Sequence, residues 1–384
     1  MRSIDDLVLD LADPTVLIGV NGAGKSTIIE ACELLRKVGS ERPFVSKLLD
    51  VHGGPSVLLR HGAKKLQLAV TLRSDRAELR YELTLRNQGA WLTIEHEAAY
   101  ILQANQLPRV LLERRGSQYT LPHPDARTGP QTIADDEVVL TAVAFQAPEV
   151  EAIRAALASI EVHCAPDTRP AWTSSASELG MRSSNVIRPI TRVEPGGRNL
   201  PNVYHALRDQ ADWPETLARI QLALGDRIEA ITTPVDPSGG RIGLALRITG
   251  VGEIASFAMS EGQLAYLALV GILRLKRPTP PSLVAFDEPD LHLHPGLVRR
   301  MTADLEIFAR QTSVLIATQS DALLDALEDP ARCAVLCDLD DRSATRCLRP
   351  DAGELQHWLE RYRGLGELRG AGYEELVFPA LEPQ

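Results

Sequence analysis

One eight-residue segment constrains this chain more than any other feature of its sequence. Residues 19–26 read Gly-Val-Asn-Gly-Ala-Gly-Lys-Ser and fit the phosphate-binding pattern G-x-x-x-x-G-K-[ST] at every fixed position. The apolar run from Val16 to Ile18 precedes the segment, and a helix-like run from Ser26 to Leu35 follows it. The pattern therefore predicts a strand, a loop that surrounds phosphate groups and a helix, which together bind a nucleoside triphosphate.

The residue types in this loop suit a triphosphate and a magnesium ion. Glycines let backbone N–H groups point inward, Lys25 supplies a full positive charge near the β and γ phosphates, and Ser26 offers a hydroxyl to Mg²⁺. The predicted nucleotide contacts of the loop and the first helical turn are Asn21, Gly22, Ala23, Gly24, Lys25, Ser26 and Thr27. An ordinary glycine-rich turn would need neither the lysine nor the hydroxyl, so we predict binding of ATP with Mg²⁺.

Length and composition indicate a folded globular protein. The chain has 384 residues, of which 44% are hydrophobic and 24% charged, and no apolar run approaches the length of a membrane span. The first residues are acidic and lack a cleavage site of small residues, so we expect a cytoplasmic protein without a membrane partner. The five cysteines include no C-x-x-C pair, which favours buried free thiols over disulfides or a zinc site.

The charge pattern bears on nucleic-acid binding. A net charge of −10 disfavours nonspecific coating of polyanions. Between Arg60 and Arg115, however, basic residues outnumber acidic ones in a segment that alternates like strands. Either this segment forms a surface that faces phosphates, or it is an ordinary solvated sheet with mixed charges. Both interpretations stay open at this point.

Hydrophobic periodicity outlines the remaining structure. We expect strands at Leu7–Leu9, Thr15–Val20, Leu66–Leu72, Leu79–Leu85, Ile242–Ile248, Ser282–Phe286, Ser313–Ala317 and Ala334–Leu336. We expect helical segments at Asp136–Ile160, Pro201–Arg208, Pro214–Leu224, Gly296–Arg310 and Asp321–Leu327. The pattern predicts an antiparallel meander early in the chain, a helical middle, an irregular stretch from Ala165 to Asn199, and a parallel α/β sheet late in the chain.

A second half of the nucleotide site follows the apolar strand at Ser282–Phe286. The strand ends in Asp287 and Glu288, and two acids after a buried strand suit a P-loop ATPase. Asp287 is expected to hold the magnesium shell, and Glu288 to orient the attacking water. Taken alone, two acids at a strand end would be solvated surface groups; the phosphate-binding loop favours the functional interpretation.

A further motif lies upstream, where Ser260 precedes the helix-like run from Leu264 and can cap it. With this segment the chain resembles the ABC-type ATPases, and within them the RecF, SMC and OLD-like branch, whose signature is S-G-G-Q or a looser variant. The resemblance implies an α/β fold: a P-loop NTPase head of the ABC type with a mixed central sheet, an antiparallel β meander and a helical lobe. It also implies that Ser260, Gly262 and Gln263 contact the nucleotide held by the other subunit of a head-to-tail homodimer.

Other segments follow the same order as in this family. Asp290–Pro295 looks like its D-loop, Ala317–Ser320 like its switch loop, and Pro195–Leu200 like an element before the second half of the sheet. Gln319 stands where ABC transporters carry histidine; it can sense the γ phosphate by hydrogen bonding but cannot carry a proton charge. Arg2 and Ser3 resemble an element that flanks adenine. The glutamine of the Q-loop is either Gln146 or Gln131.

The motifs divide the chain into four expected regions of a single head. Residues 1–130 are the lobe with the phosphate loop and meander, 131–230 a helical and loop insertion, 231–350 the lobe with the signature and the acidic pair, and 351–384 a helical tail. His292 and His294 could suggest a metal, but two ligands are too few and the D-loop accounts for them. Asp338 and Asp340 resemble a nuclease pair, yet a hairpin turn explains them, so no intrinsic nuclease is expected.

The function expected from the resemblance is an ATPase that dimerises around two Mg·ATP. It would couple this cycle to DNA maintenance or anti-phage defence, with DNA or a separate effector protein as client. Glu288, Lys25 and Gln319 would be its catalytic residues. The alternative is a nucleotide-gated scaffold with little turnover that holds a separate nuclease or toxin. A transporter motor subunit is disfavoured by Gln319 and the loose signature.

Overall fold

The protein is described by a computed structural model that covers residues 1–11, 14–73, 78–103, 106–122, 129–143, 145, 147–170, 172, 180–236, 239–373 and 376–378. Within these residues the chain forms two six-stranded sheets and two three-stranded sheets, with helices packed around them. No helix in the described ranges combines the length and the apolar character needed to cross a bilayer.

The secondary-structure elements follow one another along the whole chain. The strands are β1 (Thr15–Ile18), β2 (Lys65–Arg73), β3 (Glu78–Asn87), β4 (Leu92–Leu102), β5 (Arg109–Arg115), β6 (Gln118–Thr120), β7 (Gln131–Thr132), β8 (Glu161–His163), β9 (Asn185–Val186), β10 (Ile228–Thr232), β11 (Val235–Asp236), β12 (Arg241–Ile242), β13 (Ala245–Ile248), β14 (Gly252–Ala255), β15 (Leu283–Asp287), β16 (Ser313–Ala317), β17 (Ala334–Leu339) and β18 (Thr345–Leu348). The helices are α1 (Lys25–Ser40), α2 (Phe44–His52), α3 (Pro55–Leu58), α4 (Val139–Val143), α5 (Pro148–Ala158), α6 (Leu200–Arg208), α7 (Trp213–Leu224), α8 (Glu261–Arg274), α9 (Pro295–Ala309), α10 (Asp321–Leu324), α11 (Pro330–Cys333), α12 (Ala352–Leu359) and α13 (Leu365–Gly370).

The central sheet joins segments from both ends of the chain. Its order is β18-β17-β1-β16-β15-β8; β17, β1, β16, β15 and β8 run parallel, and β18 pairs antiparallel with β17 at one edge. Parallel strands end at the same edge of a sheet, so the loops after β1, β15 and β16 meet there. The sheet therefore brings the phosphate loop, the acidic pair and the switch segment together.

The second large sheet is the antiparallel meander that the alternating residues predict. Strands β2 to β7 pair in chain order, with bulges in the β3–β4 and β4–β5 ladders. The mixed central sheet, the meander and the surrounding helices confirm the predicted α/β fold class.

Hydrophobic cores lie on both faces of the central sheet because side chains alternate along each strand. Leu17 of β1 and Leu315 of β16 belong to a core with α1, α5 and the meander. Val16 of β1, Phe286 of β15 and Ile316 of β16 belong to a core with α6, α8 and α9. Strands that are buried on both faces read as continuous apolar runs, which is why β15 and β16 were recognisable in the sequence.

Three sequence expectations need correction. Leu7–Leu9 does not form a strand, and Val8 is 92% exposed. The expected strand at Ile242–Ile248 is two short strands in different sheets: β12 pairs with β11 and β9, β13 pairs with β10 and β14, and residues 243 and 244 between them lie outside any strand. The expected helix at Asp136–Ile160 is interrupted before Pro148, which holds the preceding residue in an extended conformation and starts α5.

Candidate nucleotide-binding site

The phosphate loop begins where β1 ends and closes at the first residue of α1. Gly19, Gly22 and Gly24 all have positive φ angles, of 155°, 84° and 97°. A Cβ on Gly19 would lie 2.1 Å from the carbonyl oxygen of Cys337, so only glycine permits this close approach of β1 to β17. Asn21, Gly22 and Ser26 are exposed, whereas Ala23, Gly24, Lys25 and Thr27 are buried. The loop therefore exposes part of its backbone to solvent at the N-terminus of α1.

Lys25 is folded back onto its own loop. Its Nζ donates to the carbonyl oxygens of Gly19 at 2.8 Å and Val20 at 3.1 Å. Burial lowers the pKa of Lys25, whereas nearby groups that include Cys337 and Glu288 act to raise it. The ammonium is thus held by acceptors weaker than a phosphate, and it can exchange them for an anion entering the loop.

Gly24 is in tight contact with Thr345, which no sequence motif identified, and with Ser3, which the sequence placed in an adenine-flanking element. A Cβ at this position would lie 2.1 Å from Thr345 Oγ1 and 2.8 Å from Ser3 Oγ. Thr345 Oγ1 donates to Ser3 Oγ at 2.7 Å, across a sequence separation of 342 residues. The N-terminal segment and β18 therefore support the phosphate loop from behind, and only the folded sheet reveals this.

We predict that Gly24→Ala destabilises the protein more than Gly22→Ala does. Both positions are left-handed, which costs alanine about 1–2 kcal/mol. Gly22 has open space around it, whereas a methyl group on Gly24 would collide with Thr345 and Ser3, adding about 1–3 kcal/mol. Denaturant unfolding of the two nucleotide-free variants measures the difference; equal losses would contradict the packing of Gly24.

The side chains of Ser26 and Asp287, the two predicted Mg²⁺ ligands, are adjacent. Ser26 Oγ donates to Asp287 Oδ1 at 3.1 Å, although 261 residues separate them. Burial raises the pKa of Asp287; the bond from Ser26 and the charge of Lys25 lower it, and the charge of Glu288 raises it further. A hydroxyl beside a partly buried carboxylate is an oxygen donor set of the kind that Mg²⁺ prefers, so the residues present fit this ion.

Glu288 has an unusual backbone and a side-chain partner. Its φ of 52° lies in the left-handed region, which is uncommon outside glycine and clusters at functional sites. Its backbone N–H donates to the carbonyl of Ala317 at 2.8 Å, and its Oε1 accepts from Gln319 Nε2 at 2.6 Å. The structure therefore brings the acidic pair and the switch glutamine together at the edge where β15 and β16 end.

The D-loop segment after Glu288 is fixed by contacts to the switch and to α8. Thr318 Oγ1 donates to Asp290 Oδ1 at 2.7 Å, and burial raises the pKa of Asp290. His292 Nδ1 lies 2.8 Å from Glu261 Oε2, and His294 caps α9 by accepting from the N–H of Gly296. Both histidines thus have partners within the protein, and the D-loop assignment stays a prediction.

Ser260 caps α8, as the sequence predicts. Its Oγ accepts from the backbone N–H of Gln263 at 3.2 Å, and its own N–H donates to Gln263 Oε1 at 2.9 Å, which completes a capping box. A Cβ on Gly262 would lie 3.0 Å from the carbonyl oxygen of His292. The signature residues therefore lie against the D-loop, whereas the phosphate loop contacts Asp287 and Thr345.

The remaining candidate residues are placed as follows. Arg2 lies beside α1, where its Nη2 is 3.0 Å from Glu30 Oε1, and Ser3 follows next to Gly24. Gln131 is in β7, where its Oε1 accepts from Tyr119 Oη at 2.8 Å. Gln146 lies outside the described residues.

The structure also shows the burial of the five cysteines and the hydrogen bonds of Asp340 in the turn between β17 and β18. None of the five cysteines forms a disulfide: Cys32, Cys333 and Cys337 are buried, Cys347 is half-buried with its Sγ 3.6 Å from that of Cys337, and Cys164 is exposed. The expectation of burial is therefore wrong for Cys164. Asp340 accepts backbone N–H groups from Arg342 and Ala344 in the β17–β18 turn, as the hairpin interpretation predicts.

Two comparisons find similarity over part of this chain's sequence. Residues 187–325 match the family described as "AAA domain, putative AbiEii toxin, Type IV TA system". A stretch of 109 residues, 27% of this chain, is 37% identical to Protein ea59 of Escherichia phage lambda, and it covers 20% of that protein's length.

Solved structures extend the likeness to most of the chain. An SMC head bound to the C-winged helix domain of ScpA is similar over 90% of this chain and 94% of its own, with a TM-score of 0.50 and 14% identity. An SMC head domain from Thermotoga maritima is similar over 91% of this chain and 96% of its own, with a TM-score of 0.45 and 13% identity. Residues 187–325 thus match an AAA-domain family, and the chain has the fold of an SMC head domain.

Proposed function

We propose that this protein binds Mg·ATP, dimerises around two nucleotides and hydrolyses them. The observation that carries the proposal is the contact between Ser26 Oγ and Asp287 Oδ1 at 3.1 Å, with the Glu288–Gln319 pair beside it. A phosphate loop, an oxygen donor pair for Mg²⁺ and a carboxylate that can orient water are the parts that phosphoryl transfer to water requires. The AAA-domain match over residues 187–325 supports the same activity at the level of the family.

Each residue has a defined task in this proposal. The backbone of Asn21–Thr27 and Lys25 Nζ bind the phosphates, and Ser26 and Asp287 would hold Mg²⁺. The ion, when bound, would neutralise charge on the β and γ phosphates. Glu288 accepts a proton from the attacking water or orients it, and Gln319 fixes Glu288 or that water by hydrogen bonding. Arg2, beside α1, would flank the base.

The second nucleotide contact is proposed to come from another copy of the chain. Ser260 is exposed at the N-terminus of α8, where the helix end favours an anion. Phe257, three residues before Ser260, is 58% exposed, and Leu291, which precedes the His292 that lies against Gly262, is 41% exposed. Exposed apolar side chains around a polar helix end support a contact surface for a partner protomer. Closure of two such surfaces would enclose two nucleotides.

Mixing two inactive variants tests this composite pocket. Lys25→Ala removes the phosphate contact, and Ser260→Arg blocks the helix end, so neither homodimer should hydrolyse ATP. An equal mixture should regain up to about a quarter of the wild-type rate, because half of the dimers are mixed and each holds one intact pocket. If the mixture stays inactive while both variants remain folded and form mixed dimers, the pocket is not shared between protomers.

The biological role we propose is DNA maintenance or anti-phage defence. The description of the matched family, which names a toxin and a type IV TA system, favours defence. The client would be DNA or a separate effector protein. Purification of a Glu288→Gln variant with ATP, followed by identification of bound nucleic acid and protein, tests for both kinds of client. If the ATP-bound dimer carries neither DNA nor a second protein, a client that binds only the ATP-bound protein is excluded.

A nucleotide-gated scaffold with little turnover is the second candidate. The hydrogen bond from Gln319 to Glu288 favours the scaffold, because it engages Oε1 of the carboxylate that would activate water. Steady-state ATP hydrolysis by the wild-type protein separates the two functions. Gln319→Ala should raise turnover if the bond restrains Glu288, and lower it if Gln319 serves catalysis.

A further inference from the structure

A buried arginine connects the irregular middle segment to the loop before α8. Arg182 ends a short 3₁₀ turn, Gly180–Arg182, and is only 6% exposed. Its Nη1 lies 3.0 Å from the carbonyl oxygen of Ser256, 3.1 Å from that of Phe257 and 2.7 Å from that of Met259. Three of the four backbone carbonyls of residues 256–259 thus converge on one guanidinium nitrogen; the carbonyl of Ala258 does not.

The other side of the guanidinium holds a second segment. Arg182 Nε donates to the carbonyl oxygen of Arg169 at 2.8 Å, and Nη2 donates to that of Thr168 at 3.0 Å. Ser256 Oγ returns a hydrogen bond to the carbonyl of Arg182 at 3.1 Å. Arg182 therefore joins the stretch after β8 to the loop at residues 256–259. A planar guanidinium with five N–H groups suits such a set of acceptors, whereas lysine does not.

The bond to Met259 bears directly on Ser260. The carbonyl of Met259 and the N–H of Ser260 belong to one planar peptide unit, so fixing the carbonyl fixes the direction of the N–H. That N–H is also the donor of the capping box to Gln263. The guanidinium thus sets the orientation of the peptide from which α8 starts.

We propose that Arg182 is a positioning residue that orients Ser260 and the start of α8 for the nucleotide bound by the partner protomer. This inference rests on the proposed function and gives a task to a segment for which the sequence indicated none. Arg182 does not reach the nucleotide of its own protomer in this scheme. Its loss should therefore resemble Ser260→Arg and differ from Lys25→Ala.

Mixed dimers test this directly. Arg182→Ala should bind ATP as a free protomer with the wild-type Kd, measured with a fluorescent ATP analogue, but hydrolyse it about 100-fold more slowly, as expected for a misplaced catalytic contact. Mixed with Lys25→Ala it should regain activity, because one pocket then has an intact phosphate loop and an intact helix end. Mixed with Ser260→Arg it should not, because both helix ends are then defective. Arg182→Lys should recover part of the loss.

A matched control separates positioning from general stability. Arg114, in β5 of the meander, is fully buried and donates to the carbonyls of Gly116, Ala134 and Glu137, far along the chain from α8. Arg114→Lys should lower thermal stability yet leave the ATPase rate of the folded protein unchanged. Rescue of Arg182→Ala by Ser260→Arg, or equal behaviour of Arg182→Lys and Arg114→Lys, would overturn the inference.

The mixture of Lys25→Ala with Ser260→Arg serves as the reference for these results. If that reference fails, the composite pocket is wrong and the positioning role is wrong with it. If the reference succeeds while Arg182→Ala and Arg182→Lys keep wild-type hydrolysis, or lose ATP binding as free protomers, only the role of Arg182 is wrong.

Discussion

Replacing Lys25 by alanine is expected to weaken ATP binding by about 10- to 150-fold. The ammonium would lie at the β and γ phosphates, and a hydrogen bond to a charged group contributes about 1.5–3 kcal/mol. The same group donates to the carbonyls of Gly19 and Val20, so it is positioned at the loop. Titration with a fluorescent ATP analogue, in the presence of Mg²⁺, measures the change in Kd.

Lys25→Met is the control that separates charge from packing. Lys25 is 6% exposed, and alanine would leave a cavity, whereas methionine fills most of the same volume. Burial lowers the pKa of Lys25, so desolvation acts against its charge in the folded protein, and Lys25→Met should lose less stability than Lys25→Ala in denaturant unfolding. Unchanged ATP affinity in both variants would contradict the phosphate-binding role.

The parts of the fold that were predictable from sequence are those with local signals. The pattern at residues 19–26 located β1, the loop and α1, and the apolar runs located β15 and β16 because these strands are buried on both faces. Strict alternation located β2 and β3 in the meander. The break between β12 and β13 was not predicted, because the apolar residues from Ile242 to Ile248 alternate without interruption across it.

The sequence supplied the candidate residues and part of their arrangement, but not the residues that support them. Asp287, Glu288 and Gln319 follow strands, and the rule that parallel strands end at one edge places them near Ser26. The support of Gly24 by Thr345 has no local signal, because the two residues meet only through the pairing of β17 with β1 and β18. The role of Arg182 was not predictable for a similar reason. Its partners are backbone carbonyls, which every residue type carries, so no residue pattern indicates the contact.

Glu288→Gln is expected to leave ATP binding intact and slow hydrolysis by about 100- to 10,000-fold, the contribution of a positioned general base. The amide keeps the size of the side chain but cannot accept a proton from water at neutral pH. The variant should also retain the left-handed backbone at this position, since glutamine has the same branching as glutamate.

The Glu288→Gln variant should accumulate as an ATP-bound dimer. If hydrolysis separates the protomers, blocking it traps the closed state, which size-exclusion chromatography with Mg·ATP detects as a doubled mass that disappears with ADP. Glu113→Gln is the matched control, because Glu113 pairs with Arg115 on the meander and touches none of the candidate residues described above. A Glu288→Gln variant that turns over ATP at the wild-type rate would remove Glu288 from catalysis. One that binds ATP without dimerising would separate nucleotide binding from assembly and favour a protein that acts as a single protomer.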